Sequence, residues 1–250
     1  MEGEILYGIN PVLEALKAER QTLNKILVAE GRHGPPLQAL QLLAREKGVP
    51  VHARPREVLS RMARTGHHQG VIGLSAGFFY ASWEDLQASI RSQPGHALVL
   101  ILDSIEDPQN LGSLIRTAEA SGAQGIILPR DRAVGITPAV IKASAGAAVY
   151  IPVVRVTNLA RTLEELKKEG LWIVGADSRG ERNLYDMKFD PNLGLVIGSE
   201  GQGIRPLVLK KCDYTISIPM KGKISSLNAA VAGAVILFEI IRQRLRYPTK

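Results

Sequence analysis

The sequence predicts an α/β protein: a small α/β unit at the amino terminus, then a larger domain built on a doubly wound, parallel sheet. Three observations carry this. From His96 onward, apolar runs alternate with helical patterns over roughly 150 residues, which is the signature of parallel strands joined by right-handed helical crossovers. The runs at 98–102 and 194–198 are continuously apolar, as strands covered on both faces must be. Before His96 the pattern closes on itself at 71–74, giving a compact unit of about 75 residues. The expected organisation is therefore 1–75, a linker at 76–96, and a domain at 97–250.

The amino-terminal unit reads helix, strand, helix, strand, helix. Asn10-Pro11 opens the first helix, with proline suited to its first turn. A strand follows at 25–29, then a helix through Leu37, Leu40 and Ala44 that stops at Gly48. A second short strand is expected at 49–52, a helix at 56–62, and a closing strand at 71–74. The linker holds one amphipathic helix, with natural breaks at Gly77 and Gln93-Pro94-Gly95. Its aromatic residues Phe78, Phe79, Tyr80 and Trp83 read as anchors to a domain rather than as a stacking surface. In the larger domain, strands are expected at 98–102, 125–128, 149–154, 171–176, 194–198 and 214–218. Helices are expected at 108–121, 137–144, 159–169 and 227–246.

Composition narrows the function. A net charge of +7 and a pI near 9.6 favour a polyanionic partner, nucleic acid before anionic lipid. Arg54, Arg56, Arg61 and Arg64 cluster in the first unit, where they suit a nucleic-acid backbone. The single cysteine, Cys212, excludes an internal disulfide framework and reads as a core thiol. His67 and His68 lack partners at metal spacing and read as loop histidines, so no metal is expected. No basic segment followed by an apolar run opens the chain, and the most apolar stretch, 229–241, is interrupted by Glu239. A cytoplasmic protein is expected.

Three stretches have the residues for chemistry. In EDPQNLGSLIR, Gly112 sits inside the first turns of a helix, where glycine costs roughly 1 kcal/mol relative to alanine. That cost points to a close approach, with Arg116 one turn further on. Asn110 taken alone reads as a helix cap. In LVIGSEGQG, glycines follow a buried strand at the end where open α/β sheets place ligands, and Glu200 stands at the strand mouth. The spacing is GxxGxG, neither the GxGxxG dinucleotide fingerprint nor a P-loop. In IPMKGKISSLN, Lys221 and Lys223 precede Ser226 and Asn228 at the mouth of a helix too apolar for one narrow stripe, expected in the core or at a subunit interface.

Together the stretches resemble the three motifs of the SpoU-type ribose 2′-O-methyltransferases of the trefoil-knotted superfamily. NxGxxxR matches Asn110, Gly112 and Arg116; LVxGxExxG matches Leu195, Val196, Gly198, Glu200 and Gly203; IPMxGxxxSLN matches Ile218, Pro219, Met220, Gly222, Ser226, Leu227 and Asn228. YGINPVLEAL at the start is similar to the ribosomal-protein-like RNA-binding domain of the large-subunit rRNA guanosine enzymes of that family. The resemblance implies a deep trefoil knot, which general topology rules would have pruned, and a homodimer. It implies S-adenosylmethionine as methyl donor, held by backbone at Gly198, Ile218 and Leu227 with Ile197 and Met220 lining the pocket. It also implies that Arg116, Asn110, Glu200, Ser226 and Asn228 form the catalytic set, with Arg116 as general base or hydroxyl-orienting group and Asn110 and Glu200 ordering the site and contacting RNA. By charge, Arg54, Arg56, Arg61 and Arg64, with Lys221 and Lys223, are the expected RNA-binding cations. One departure is Ala229-Ala230 where the family commonly has valine and serine. The implied activity is 2′-O-methylation of a guanosine in large-subunit ribosomal RNA. A tRNA ribose methyltransferase and a non-catalytic RNA-binding assembly protein are the rivals.

Overall fold

The computed structural model describes residues 4–17, 23–75, 78–92, 96–189 and 192–246. In chain order the first elements are β1 (Glu4–Tyr7), α1 (Ile9–Lys17), β2 (Leu23–Ala29), α2 (Pro35–Glu46), β3 (Val51–Arg54), α3 (Arg56–Ala63) and β4 (Val71–Ser75). Then come α4 (Trp83–Arg91), β5 (Leu98–Asp103), α5 (Pro108–Ala120), β6 (Gly125–Pro129), α6 (Pro138–Ala143), β7 (Val153–Val156), α7 (Leu159–Lys168) and β8 (Trp172–Ala176). The chain finishes with β9 (Arg182–Asn183), β10 (Leu193–Gly198), α8 (Pro206–Leu209), β11 (Tyr214–Ser217) and α9 (Ala229–Arg246). They form two compact units: Met1–Phe79 with Ile136–Tyr150, and Tyr80–Gly135 with Ile151–Lys250.

The first unit holds a four-stranded sheet in the order β1-β4-β2-β3, antiparallel except for the β2–β3 pair. Leu27, Ala29, Leu59 and Ile72 form one buried cluster in it. Residues 136–150 join this unit through α6, where the Lys142 ammonium lies 4.9 Å over the Tyr7 ring and the Tyr150 hydroxyl donates to Glu14. A linear reading puts that segment with the larger domain, because nothing local marks a helix that packs on a strand about 130 residues earlier.

β1 is a strand the sequence reading omits; EILY is too short to show a period, and its pairing with β4 is long-range. Two expected strands start late, at Val51 instead of 49 and at Val153 instead of 149. Proline explains both. Pro50 and Pro152 have no N–H for a ladder, although their carbonyls accept from Ile26 N and Ile126 N at 2.8 Å each. Ala147–Val149 forms a 3-10 turn instead.

The second unit holds a seven-stranded, all-parallel sheet in the order β7-β6-β5-β10-β8-β11-β9. β5 and β10 pair at its centre, and every residue of both is buried. The helix expected in the linker is α4, closed by a reciprocal capping box between Ser82 and Asp85. It buries Leu86 and Ile90 in the same core; Trp83 packs against them, and the Arg155 guanidinium lies 5.3 Å from the Tyr80 ring centre. These aromatics anchor, as expected, while Phe79 is exposed. Gly77 and the 93–95 turn lie outside the described residues. β9 and α8 are too short to carry a readable pattern. Among the described residues, no helix is long and apolar enough to cross a membrane.

His68 lies in the loop between α3 and β4, as expected, but it is not solvated. It is fully buried, its Nδ1 accepts from Gly70 N at 3.0 Å, and its Nε2 lies 2.9 Å from Ser60 Oγ. An accepting Nδ1 requires the neutral ring with the proton on Nε2, which then donates to Ser60. Burial lowers its pKa below the ordinary histidine value, and the Arg56 and Arg32 charges lower it further. The stability this arrangement contributes is complete above about pH 6.5, where an unfolded histidine is neutral, and is lost as pH falls through the lower folded value. Thermal unfolding followed from about pH 7.5 down to about pH 5 should show Tm falling in the wild type more steeply than in His68→Gln. Equal slopes in the two proteins would contradict the assignment.

Candidate active site

β5, β10, β8 and β11 lie side by side, so their carboxyl ends form one rim. At the end of β10 the chain turns back at once. Ser199 N donates to Gly203 O at 3.2 Å, and Gly203 N donates to Ser199 O at 2.9 Å. Gly203 has φ of 67°, the left-handed region that favours glycine. The returning backbone passes so close to Gly198 that a Cβ there would lie 2.1 Å from Gly203 C and 2.3 Å from Ile204 N. Only glycine fits at 198. The turn is then pinned by Asp103, the wholly buried last residue of β5, which accepts from Arg205 N at 2.8 Å and from Arg205 Nε at 2.7 Å. Arg205 is partly exposed, so the cost of breaking the pair falls on Asp103: without Arg205 its buried carboxylate would be left uncompensated.

Under this turn lies a cleft of about 290 Å³. Ile197, Ile216, Met220, Ala232 and Ile236 give it an apolar wall. Gly198, Ile218, Ser226 and Leu227 line it as well, so all five residues expected to touch a cofactor border one cavity. Residues 218–227 follow β11 as irregular chain and, among the described residues, make no backbone–backbone hydrogen bond. Their amide and carbonyl groups are available to a ligand.

At the cleft mouth three side chains from three stretches meet. Asn110 Nδ2 donates to Glu200 Oε1 at 2.9 Å, Asn228 Nδ2 donates to Asn110 Oδ1 at 2.9 Å, and Asn228 Nδ2 also donates to Glu200 Oε1. Glu200 Oε2 has no hydrogen-bond partner among the described residues. Asn110 is not a cap; that role falls to Asp107, whose Oδ1 accepts from Gln109 N at 2.8 Å. The cap of α9 is Asn228, whose Oδ1 accepts from Ala230 N at 2.9 Å and Val231 N at 3.2 Å. The last helix therefore starts at Ala229, two residues later than expected, and leaves Ser226 on the cleft wall. A second cavity of about 340 Å³ adjoins the first across 199–202 and is lined by Ser104, Glu106, Asn110, Arg132 and Arg205 among others.

The remaining candidates lie outside both cavities. Gly112 is buried in α5, while Arg116 is exposed, with no hydrogen bond or ion pair among the described residues. Lys221 and Lys223 are exposed beside the cleft. Arg54, Arg56, Arg61 and Arg64 are exposed in the first unit, along β3, α3 and the residue after it. Cys212 is a core thiol whose pKa burial pushes up to about 12. No group of three or more His, Cys, Asp or Glu able to hold a metal occurs among the described residues.

Sequence reasoning missed Asp103 and Arg205, and also the turn Asp177–Ser178–Arg179, which lines the cleft beyond β8. A signal existed: both aspartates directly follow a buried apolar run, as Glu200 nearly does.

A family model described as the SpoU rRNA Methylase family matches residues 97–238, and one described as RNA 2′-O ribose methyltransferase substrate binding matches residues 5–81. A Bacillus subtilis (strain 168) protein, YacO, assigned to the TrmH family of tRNA/rRNA methyltransferases, is 46% identical over 243 residues, covering 97% of each chain. The SpoU methyltransferase AviRb from Streptomyces viridochromogenes, solved with AdoMet, superposes with a TM-score of 0.80 at 26% identity, covering 97% of this chain and 91% of that one. The A. aeolicus TrmH/SpoU tRNA modifying enzyme superposes with a TM-score of 0.55 at 26% identity, covering 65% of this chain and 82% of that one. With both models matched and a relative this similar along nearly the whole length, the chain belongs to the SpoU methylase family of RNA 2′-O-ribose methyltransferases.

Proposed function

We propose that this protein transfers a methyl group from S-adenosylmethionine to the ribose 2′-hydroxyl of a guanosine in large-subunit ribosomal RNA. The observation that carries the reading is the Asn110–Glu200–Asn228 cluster at the mouth of the glycine-bordered cleft. The ribosomal target is supported by the family model over 97–238, which is described as an rRNA methylase family, and by the added substrate-binding unit at 5–81, whereas the tRNA modifying enzyme covers 65% of the chain. A homodimer is supported by α9, whose outer face leaves Val231, Phe238 and Leu245 49%, 52% and 78% exposed. The trefoil threading of the chain after β10 and a cytoplasmic location belong to the same proposal.

The cleft fits the donor. Its apolar wall suits an adenine ring, and the free backbone groups of 218–227 suit that ring's edge and the ribose. Asp177 lines it as an acceptor for hydroxyl or ammonium groups. When bound, S-adenosylmethionine supplies an electrophilic sulfonium methyl, so the protein must align the hydroxyl and let one proton leave. Two amides hold Oε1 of Glu200, which leaves Oε2 without a partner among the described residues and able to orient the 2′-hydroxyl as an acceptor. Arg116 is essential for a different task. A guanidinium keeps its proton in proteins, so its exposed charge holds the RNA phosphate beside the reacting ribose.

Incubation with labelled donor and unmodified transcripts tests the function. A 2′-O-methylguanosine in the ribosomal transcript is expected; label only in tRNA would move the target, and no 2′-O-methyl product in either RNA would sink the reading. Arg116→Ala should lower kcat/KM about 100-fold or more with donor affinity unchanged. Glu200→Gln should lower kcat with little change in donor affinity, and wild-type turnover in that variant would remove Glu200 from the site.

A further inference from the structure

We infer that the amino-terminal unit contains a pocket for one unpaired nucleotide of the substrate RNA, with the Arg32 guanidinium as its phosphate anchor. This rests on the reading of the chain as an RNA-modifying enzyme and assigns a place where the RNA is gripped away from the reacting ribose.

The cavity has a volume of about 690 Å³, within the range of small-molecule sites. It lies where the parallel strands β2 and β3 end, beside the loop 30–34. β3 is the outermost strand of its sheet, so the groove runs between a sheet edge and α2. Leu37, Gln41 and Arg45 stand four residues apart on α2 and so present one stripe to it. Leu37, Val49 and Val51 supply apolar surface for a base. Gln38 and Gln41 supply amide donors and acceptors, and Glu30 supplies the one carboxylate of the lining, an acceptor for base N–H groups.

Arg32 is the reason to read this as a site and not a furrow. Its Nε is buried without a hydrogen-bond partner, and its guanidinium makes no ion pair among the described residues. A buried donor left unpaired is uncommon and calls for a missing acceptor. Its position is built in. Gly70 has φ of 69°, and a Cβ there would lie 2.7 Å from Arg32 Cδ, so the arginine stem lies across a residue that must lack a side chain. Arg45 lines the same cavity, which places two cations around an apolar floor. Phosphate plus an exposed base satisfies both features, whereas a continuous duplex offers only phosphate. By contrast, the exposed Arg54, Arg56, Arg61 and Arg64 line none of the three cavities described and suit diffuse backbone attraction.

The test uses the full chain and unmodified ribosomal RNA transcripts. Arg32→Gln should raise the RNA Kd about tenfold with donor affinity and Tm unchanged, and Arg32→Lys should recover only part because it cannot fork around a phosphate. In parallel, the wild type is crosslinked to 4-thiouridine-substituted transcript and digested with trypsin. Crosslinks are expected in the peptide spanning 33–45, a result that does not depend on any variant folding. An Arg32→Gln Kd within about twofold of wild type, in a variant with wild-type Tm, would overturn the pocket. So would crosslinks that all fall outside residues 28–53, the span that lines the cavity. If the wild type binds neither ribosomal nor transfer RNA, the RNA-modifying reading itself fails.

Discussion

The backbone crossing at Gly198 governs the catalytic unit. β10 is the central buried strand, and the five residues after it must fold back over its own end within contact distance of the Gly198 Cα. Because two backbones occupy that space, no side chain can, and the position of the returning chain is set by atoms that cannot change rotamer. From this crossing the site follows. The turn at 199–203 roofs the cleft, presents Glu200 at its mouth and separates it from the second cavity. The buried Asp103 carboxylate, paired with the partly exposed Arg205, holds the turn from the neighbouring strand, so the core of the sheet and the geometry of the mouth are one mechanical object.

The Asn110–Glu200–Asn228 cluster is where three separate stretches become one site. Each residue stands next to a helix start or a strand end, where backbone packing leaves little freedom: Asn110 in the first turn of α5, Glu200 after β10, and Asn228 as the cap of α9. Asn228 uses both ends of its amide, capping a helix with its oxygen and clamping Glu200 with its nitrogen. Helix capping and the placement of Glu200 thus depend on the same side chain, which leaves the sequence no cheap substitute there.

Much of this was legible beforehand, for identifiable reasons. The strands at 98–103 and 193–198 announce themselves because burial on both faces leaves an unbroken apolar run. The glycines and the carboxylate after a buried strand pointed to that strand's mouth, whereas Ile197, Ile218, Met220 and Leu227, which border the same cleft, came only from the motif resemblance. What stayed hidden depends on distance in sequence or on single atoms. β1 pairs with β4 across about 65 residues, and 136–150 packs on the amino-terminal unit with no local mark. Asp103 is passed over, since the expected strand ends at 102 and its partner, Arg205, lies 102 positions away. Asn110 read as a cap because a sequence shows the residue type but not that Asp107 had already taken that role.

The crossing is tested most directly by comparing Gly198, the last residue of β10, with Gly201 in the turn that follows it. A Cβ at Gly201 would meet nothing within 4 Å, whereas one at Gly198 would strike backbone. Titration calorimetry with S-adenosylmethionine should find Gly201→Ala binding like the wild type and Gly198→Ala weakened about 100-fold or more. Wild-type donor affinity in Gly198→Ala would contradict the claim that this close approach shapes the site.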